Sequence, residues 1–154
     1  MADTILQGEK ITRVFQQGKA ETKVLDGIDI KIFEKDFTVI MGPSGAVKST
    51  LLYSLSGMDQ ISGGRVLYRD QEISGLSEKR MARLRAEEFG FVFQQTHLVS
   101  NLTLLENVLV AGYASKKDSA EKVKERAANL LRQMDVEEAK DRLSSQVSGG
   151  EAQR

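Results

Sequence analysis

The sequence predicts an α/β fold in which a strand and a helix flank a glycine-rich loop. The first observation is an apolar run at residues 37–41 (FTVIM), which is typical of a strand buried on both faces of a parallel sheet. The second is the return of strand and helix patterns downstream, because such alternation favours an α/β core. The third is the segment after the loop, whose apolar residues recur at helical spacing: Leu51, Leu52, Leu55 and Met58.

Before this core, residues 5–14 and 24–32 are predicted to form an antiparallel pair of strands. Isoleucines recur at period two from Ile28 to Ile32, as expected of a strand with one buried face. Gly57 is predicted to mark the end of the helix that follows the loop.

Further elements follow in chain order. Residues 65–69 are predicted to form a short strand, and Ser77 is predicted to be the N-cap of a charged helix (SEKRMARLRAEE). Residues 89–93 (FGFVF) are predicted to form another strand. From residue 96 the pattern is helical, and Thr103 and Glu106 stand at capping-box spacing. A last long helix is predicted over 118–135, with one apolar face formed by Val123, Ala127, Leu130, Leu131 and Met134.

Composition bounds the possible functions. The 154 residues suffice for one domain, or for one domain with a small appendage, and are too few for two large ones. The 22 basic and 22 acidic side chains give zero net charge, so no global field recruits nucleic acid. The absence of cysteine excludes disulfides and thiolate metal sites within this chain. No secretory signal or membrane-spanning stretch is visible, so we expect a cytosolic chain. Because the net charge is zero, we expect no binding to nucleic acid.

Residues 42–50 (GPSGAVKST) come close to the phosphate-binding pattern G-x-x-x-x-G-K-[ST]. Gly42, Gly45, Lys48 and Ser49 match, and Val47 departs. In such loops backbone N–H groups and a helix N-terminus surround the phosphates, while the lysine reaches the terminal phosphates and the hydroxyl holds Mg²⁺. The alternative is a glycine-rich turn with a chance Lys-Ser. The predicted strand before the loop and the helix after it favour a nucleotide loop.

Three segments in series resemble the ATP-binding subunit of ABC transporters: MGPSGAVKSTLLYSLSGMD, FGFVFQQTHLVSNLTLLENV and SSQVSGGEAQR. The resemblance runs from about residue 5 to the end. Within that family it is strongest to subunits paired with lipoprotein-releasing, macrolide-exporting and antimicrobial-peptide-type permeases. It implies a P-loop NTPase core with an N-terminal antiparallel β subdomain and a helical insertion. We expect residues 1–95 to hold the β subdomain and P-loop core, and residues 96–154 the helical subdomain.

The resemblance implies that ATP and Mg²⁺ are the cofactors. Phe15 matches the aromatic position on which the family stacks adenine, although an aromatic near a strand end is often core. Gln94 matches the Q-loop glutamine, which contacts Mg²⁺ or the attacking water; taken alone it is an ordinary strand-end residue. Ser49 would be the second metal ligand. The nucleotide-binding loop would comprise Gly42, Pro43, Ser44, Gly45, Ala46, Val47, Lys48, Ser49 and Thr50.

The segment VSGGEAQR resembles the family's signature motif through Ser148, Gly149 and Gly150. A hydroxyl, close backbone approach and the positive end of a helix suit a γ-phosphate. The alternative is a plain capped helix start. In the family this surface binds ATP held by a second subunit. The resemblance therefore implies a homodimer with sandwiched ATP, a transmembrane permease partner, and a cytoplasmic location on the inner face of the cell membrane.

By the same resemblance, segment 96–113 would face the permease. The apolar residues there could form a docking patch, although such a cluster in a helical insertion is more often its own core: Leu98, Val99, Leu102 and Leu104. The basic side chains of the charged helix are predicted to be solvated and balanced by neighbouring glutamates.

The family's Walker B aspartate, its catalytic glutamate and its switch histidine would follow Arg154 and are absent from these 154 residues. Phosphoryl transfer needs a positioned metal and an oriented nucleophile, so no appreciable hydrolysis is expected. The expected central sheet is incomplete and leaves an unpaired apolar edge, as in a truncated chain. The alternative function is a non-catalytic remnant that acts at most as an interaction module.

Val47 is the main departure within the loop. Glycine at such a position allows either a positive φ or a close approach of the backbone to a ligand. A β-branched residue is poor at both. We therefore expect Val47 to weaken ATP binding, either through backbone strain or through a methyl group that displaces phosphate.

Overall fold

The computed structural model describes residues 3–18, 20–42, 47–115 and 117–154. The chain divides into two compact units, Met1–Gly90 and Phe91–Arg154, each with its own hydrophobic core. The functional division at residue 95 that the sequence predicts stays a prediction.

An antiparallel four-stranded sheet occupies the first unit, with strand order β2-β1-β3-β4. The strands β1 (Thr4–Gln17) and β2 (Ala20–Phe33) form a long hairpin, which confirms the predicted antiparallel pair and extends both strands. The strand β3 (Gly63–Tyr68) pairs with β1, and the two-residue β4 (Gln71–Glu72) pairs with β3. The short strand predicted at 65–69 is therefore confirmed as β3.

Helix α1 (Val47–Leu55) packs one face into the core of the first unit. Leu51 and Leu55 are buried, as the helical spacing predicts. Leu52 and Met58 are about half exposed, because Leu52 lies on the outer side of the helix and Met58 lies beyond its end. The buried side chains of this core are Ile11, Leu25, Leu51, Leu55, Val66, Ile73 and Met81.

Helix α2 (Glu78–Glu88) supplies Met81 to that core. Met81 lies against Gly57, which follows α1 with a φ of 65° and so confirms the predicted helix end. Arg85 of α2 donates a hydrogen bond to the Gly57 carbonyl oxygen. Ser77 is the N-cap of α2 as predicted, but its hydroxyl makes no capping hydrogen bond.

Two predicted strands are not formed in the described part of the chain. Residues 37–41 and 89–93 have no strand assignment and no sheet partner. Phe37 is 89% exposed and Val92 is 90% exposed, so the predictions of a buried strand at 37–41 and of a strand at 89–93 are wrong. A parallel strand exists only through hydrogen bonds to a neighbour. Neither segment has such a neighbour among the described residues. The apolar pattern therefore shows that these side chains are suited to burial, but it does not show that they form a sheet.

The second unit is helical, as predicted, with α3 (Leu104–Ala114), α4 (Ala120–Gln133) and α5 (Gly149–Gln153). The predicted capping box starts α3. The Thr103 hydroxyl accepts from the Glu106 N–H at 3.2 Å, and the Glu106 carboxylate accepts from the Thr103 N–H at 2.8 Å.

The predicted apolar face of α4 is only partly buried. Val123, Ala127 and Leu131 are buried, whereas Leu130 and Met134 are about half exposed. The last two lie at the margin of the apolar stripe, which spans only part of the helix circumference. The core of this unit is centred on Leu104, Leu131, Val136 and Ala139.

Gly64 and Gly18 offer a matched test of backbone packing in the sheet. Both have positive φ, 84° and 63°. A Cβ at Gly64 would overlap the backbone of Glu9 and Lys10, whereas a Cβ at Gly18 would meet none of the described residues within 4 Å. We expect Gly18→Ala to lower the free energy of unfolding by about 1 kcal/mol and Gly64→Ala by about 3 kcal/mol. Urea denaturation measures both, and equal losses would contradict this account of the β1–β3 contact.

Candidate functional site

Helix α1 begins within the phosphate-binding pattern, at Val47. Its first turn holds Val47, Lys48 and Ser49, and no acidic side chain. The positive potential of the helix N-terminus is therefore not opposed by a carboxylate in that turn. The Lys48 Nζ donates to the carbonyl oxygen of Gly42 at 3.0 Å. The ammonium group thus reaches back to the residue at the start of the loop.

The other predicted loop residues are placed as follows. Thr50 is buried, so its side chain belongs to the packing beneath α1, whereas Ser49 is exposed. Four predicted binding residues lie outside the described part of the chain: Pro43, Ser44, Gly45 and Ala46.

Val47 has right-handed helical backbone and is not among the residues with positive φ. The expected left-handed strain at this position is therefore wrong, because the position is the start of a helix and not a turn. The side chain of Val47 is 51% exposed. It stands on the turn whose backbone N–H groups have no partner within the helix. Steric bulk is then the means by which Val47 can act on an anion bound there.

Phe15 lies near the end of β1, opposite Thr22 of β2. The guanidinium carbon of Arg13 lies 4.5 Å from the centroid of the Phe15 ring. Arg13 is in turn held by both carboxylate oxygens of Asp59, through Nε at 2.9 Å and a terminal nitrogen at 2.7 Å. Phe15 thus contacts an arginine whose side chain is held at two points by Asp59.

Sequence reasoning missed Arg13 and Asp59. They stand 46 residues apart. Asp59 ends the segment MGPSGAVKSTLLYSLSGMD, but nothing in that pattern pairs it with Arg13. The one available signal is that Arg13 precedes Phe15 by two residues, a spacing that places two side chains on the same face of a strand.

In the second unit, Gln94 is exposed at a bend immediately after Phe93. The side-chain amide of Gln153 in α5 donates to the Phe93 carbonyl oxygen at 3.0 Å. The predicted Q-loop is therefore bonded to the helix that carries the signature residues.

The signature residues form the start of α5, with Ser148 as N-cap and Gly149 and Gly150 in the first turn. The Ser148 hydroxyl accepts from the Glu151 N–H at 3.2 Å and donates to the Glu151 carboxylate at 2.7 Å. That carboxylate also accepts from the Ser148 N–H at 2.8 Å. The hydrogen bonds from the Ser148 hydroxyl and backbone hold the pKa of Glu151 below its usual value near 4.5.

The expected docking patch is divided between core and surface. Leu104 is buried and Leu98 packs against the core of the second unit, whereas Val99 is about half exposed. The predicted site residues fall into two groups. Described residues of the first unit are Phe15, Gly42, Val47, Lys48, Ser49 and Thr50, and those of the second are Gln94, Ser148, Gly149 and Gly150.

A phosphate-loop helix beside an antiparallel hairpin, with a helical unit that ends in a signature motif, defines a class of nucleotide-binding proteins, the P-loop ATPase cassettes. The chain belongs to the ABC transporter family, whose profile matches residues 25–154. Within the described part of the chain, no helix is both long and apolar enough to cross a membrane.

Relatives cover the whole chain. It is 37% identical to the lipoprotein-releasing system ATP-binding protein LolD of Legionella pneumophila (strain Paris), over 100% of this chain and 67% of that protein. The LolD of Buchnera aphidicola is 37% identical over 97% of the chain and 65% of its own length. The macrolide export ATP-binding/permease protein MacB of Pasteurella multocida is 38% identical over 100% of the chain and 24% of its own length. The chain thus spans about two thirds of LolD and a quarter of MacB.

Solved structures agree in fold. A dimer of the ATP-binding cassette MJ0796, in a post-hydrolysis state bound to ADP and Pi, matches with a TM-score of 0.89 at 29% identity, over 96% of this chain and 65% of that one. The cbiO1 protein of Clostridium perfringens, part of the ABC transporter complex cbiONQ, matches with a TM-score of 0.78 at 29% identity, over 98% and 58%. The predicted P-loop NTPase fold of the ABC ATPase type is therefore confirmed.

The capping box at Ser148 is expected to depend on pH. Because the pKa of Glu151 is lowered in the folded chain, its contribution to the helix start is complete above about pH 4.5 and is lost as pH falls through the lowered value. Amide NMR titration should show Ser148 and Glu151 changing together below pH 4.5. In Glu151→Gln, whose side-chain oxygen still accepts but does not titrate, this joint change should vanish. A Ser148 amide that titrates identically in both proteins would contradict the assignment.

Proposed function

We propose that this chain is the ATP-binding subunit of an ABC transporter and binds Mg-ATP with the phosphates at the first turn of α1. One observation carries this proposal. The Lys48 ammonium and the Ser49 hydroxyl lie at a helix start that has no acidic side chain, and Lys48 reaches back to Gly42. This donor set fits a polyphosphate with its metal ion.

Each residue then has a defined task. Lys48 exchanges the Gly42 carbonyl oxygen for a terminal phosphate oxygen, so that a neutral acceptor is replaced by an anionic one. Ser49 offers its hydroxyl as a ligand for Mg²⁺. When bound, Mg²⁺ neutralises charge at the terminal phosphates. Phe15 offers its ring to the nucleobase.

The proposal includes two kinds of partner. Ser148, Gly149 and Gly150 of one copy would contact the γ-phosphate held by a second ATP-binding subunit. The dimeric state of the MJ0796 cassettes supports this pairing. The combination of ATP-binding and permease parts in MacB supports a transmembrane permease as the other partner. The subunit would then lie on the cytoplasmic face of the membrane through that permease.

We further propose that Val47 makes nucleotide binding weak. Phosphate oxygens need close access to backbone N–H groups at the helix start, and the Val47 isopropyl group stands on that turn. Losing one hydrogen bond to a charged group costs about 1.5–3 kcal/mol, which is about tenfold or more in affinity. At low ATP concentration most copies of the chain would then hold no nucleotide.

Replacement of Val47 tests the proposal. We expect Val47→Gly to raise Mg-ATP affinity about tenfold, with Val47→Ala between the two, as measured by isothermal titration. Because position 47 is helical, Val47→Gly should also lower thermal stability slightly, so that affinity and stability move in opposite directions.

Lys48→Ala serves as the negative control, since it removes the phosphate-binding ammonium group. Equal Mg-ATP titrations for the unsubstituted chain and Val47→Gly would refute the steric role of Val47. If neither protein binds Mg-ATP, the nucleotide-binding proposal fails and the alternative of a non-catalytic interaction module is favoured.

A further inference from the structure

Arg13 and Asp59 form a partly buried ion pair to which the motifs of the family assign no role. Their side chains are 20% and 29% exposed. Two nitrogens of Arg13 contact the two carboxylate oxygens of Asp59, at 2.9 and 2.7 Å. A guanidinium bound at two points has its plane fixed as well as its charge. Asp59 therefore sets the plane of the Arg13 side chain.

The guanidinium of Arg13 lies over the Phe15 ring. The distance of 4.5 Å from the guanidinium carbon to the ring centroid is within the range of a cation–π contact. Within the described part of the chain, Arg13 is the one cation or ring that stacks on Phe15. Arg13 thus covers one face of the ring.

Asp59 is itself anchored to the end of α1. Its backbone N–H donates to the carbonyl oxygen of Tyr53, in the last turn of the helix, at 3.1 Å. Three residues later, the Ser62 N–H donates to the Thr12 carbonyl oxygen at 2.7 Å, and the Ser62 hydroxyl accepts from the Val14 N–H at 3.0 Å. The loop after α1 is therefore bonded to the part of β1 that carries Phe15.

Resting on the proposed function, we infer that Arg13 and Asp59 are positioning residues for the base of a nucleoside triphosphate. Asp59 orients Arg13, and Arg13 covers one face of Phe15 so that the base stacks on the other. The ring is then ordered before the ligand arrives. Because α1 carries Lys48 and Ser49 in its first turn and Asp59 follows its end, one helix links the phosphate end of the ligand to its base end.

The test compares a ligand that has a base with one that has none. Isothermal titration with Mg-ATP and with Mg-tripolyphosphate is carried out on the unsubstituted chain and on Asp59→Asn, each with and without Val47→Gly. We expect Asp59→Asn to lower ATP affinity about three- to tenfold, the loss that follows when one more side chain must be ordered on binding. Tripolyphosphate affinity should not change.

Further variants distinguish an effect of the Arg13–Asp59 pair on ATP binding from a general loss of stability. Arg13→Lys keeps the charge but loses the planar fork, and should weaken ATP binding as Asp59→Asn does. In a Phe15→Ala background, Asp59→Asn should have no further effect on ATP affinity. The matched control is Glu137→Gln, which removes the bidentate Arg132–Glu137 pair of the second unit, at 3.0 Å for both contacts, and should leave ATP affinity unchanged.

A ligand-free measurement tests the ordering of the ring directly. The chain contains no tryptophan, so Phe15→Trp introduces a single reporter at the stacking position. Acrylamide should quench its fluorescence more strongly when Asp59→Asn is added. Unchanged quenching overturns the inference even if no nucleotide binds.

The other outcomes also decide. An Asp59→Asn variant that binds ATP like the unsubstituted chain, or that loses ATP and tripolyphosphate affinity equally, overturns the inference while leaving phosphate binding intact. If neither ligand binds in either background, the proposed function fails, whereas the quenching result still tests the positioning of the ring.

Discussion

Burial of one face of α1 in the core of the antiparallel unit is the packing on which the candidate site depends. Leu51 and Leu55 join Ile11 and Val66 in that core. Burying one such side chain contributes about 1.5–3 kcal/mol, which exceeds the typical contribution of a neutral hydrogen bond. The position of Lys48 and Ser49 is therefore determined by the apolar contacts of residues one to two turns further along the helix. Apolar packing of α1 therefore determines where the phosphate-binding residues lie.

The sheet has two tasks in this arrangement. Its inner side chains provide the wall against which α1 packs, and the end of β1 carries the aromatic ring of Phe15. The Arg13–Asp59 pair and the hydrogen bonds of Ser62 join these two tasks, because they bind the strand to the loop that leaves the helix. Helix α1, the loop after it and strand β1 are thus connected to one another by direct contacts within the first unit. Preorganisation of this kind lowers the ordering cost of binding.

Local patterns were predictable from the sequence, whereas contacts between residues far apart in the chain were not. The hairpin, the capping box at Thr103, the helix end at Gly57 and the buried leucines of α1 each depend on residues close in sequence, and all were predicted correctly. The runs at 37–41 and 89–93 were predicted as strands and are not, because a strand depends on a neighbour that apolar periodicity cannot supply.

The site was predictable to a similar extent. The phosphate-loop helix follows from a motif, but the backbone conformation of Val47 does not, since glycine in a motif can mean either a positive φ or close approach. The Arg13–Asp59 pair could not be predicted, because its partners stand 46 residues apart and no local pattern joins them. The most direct test of the account is an amide NMR titration with Mg-ATP. The account predicts that Lys48, Ser49 and Phe15 shift along one saturating curve. The absence of saturable shifts at Lys48 and Ser49 would contradict it.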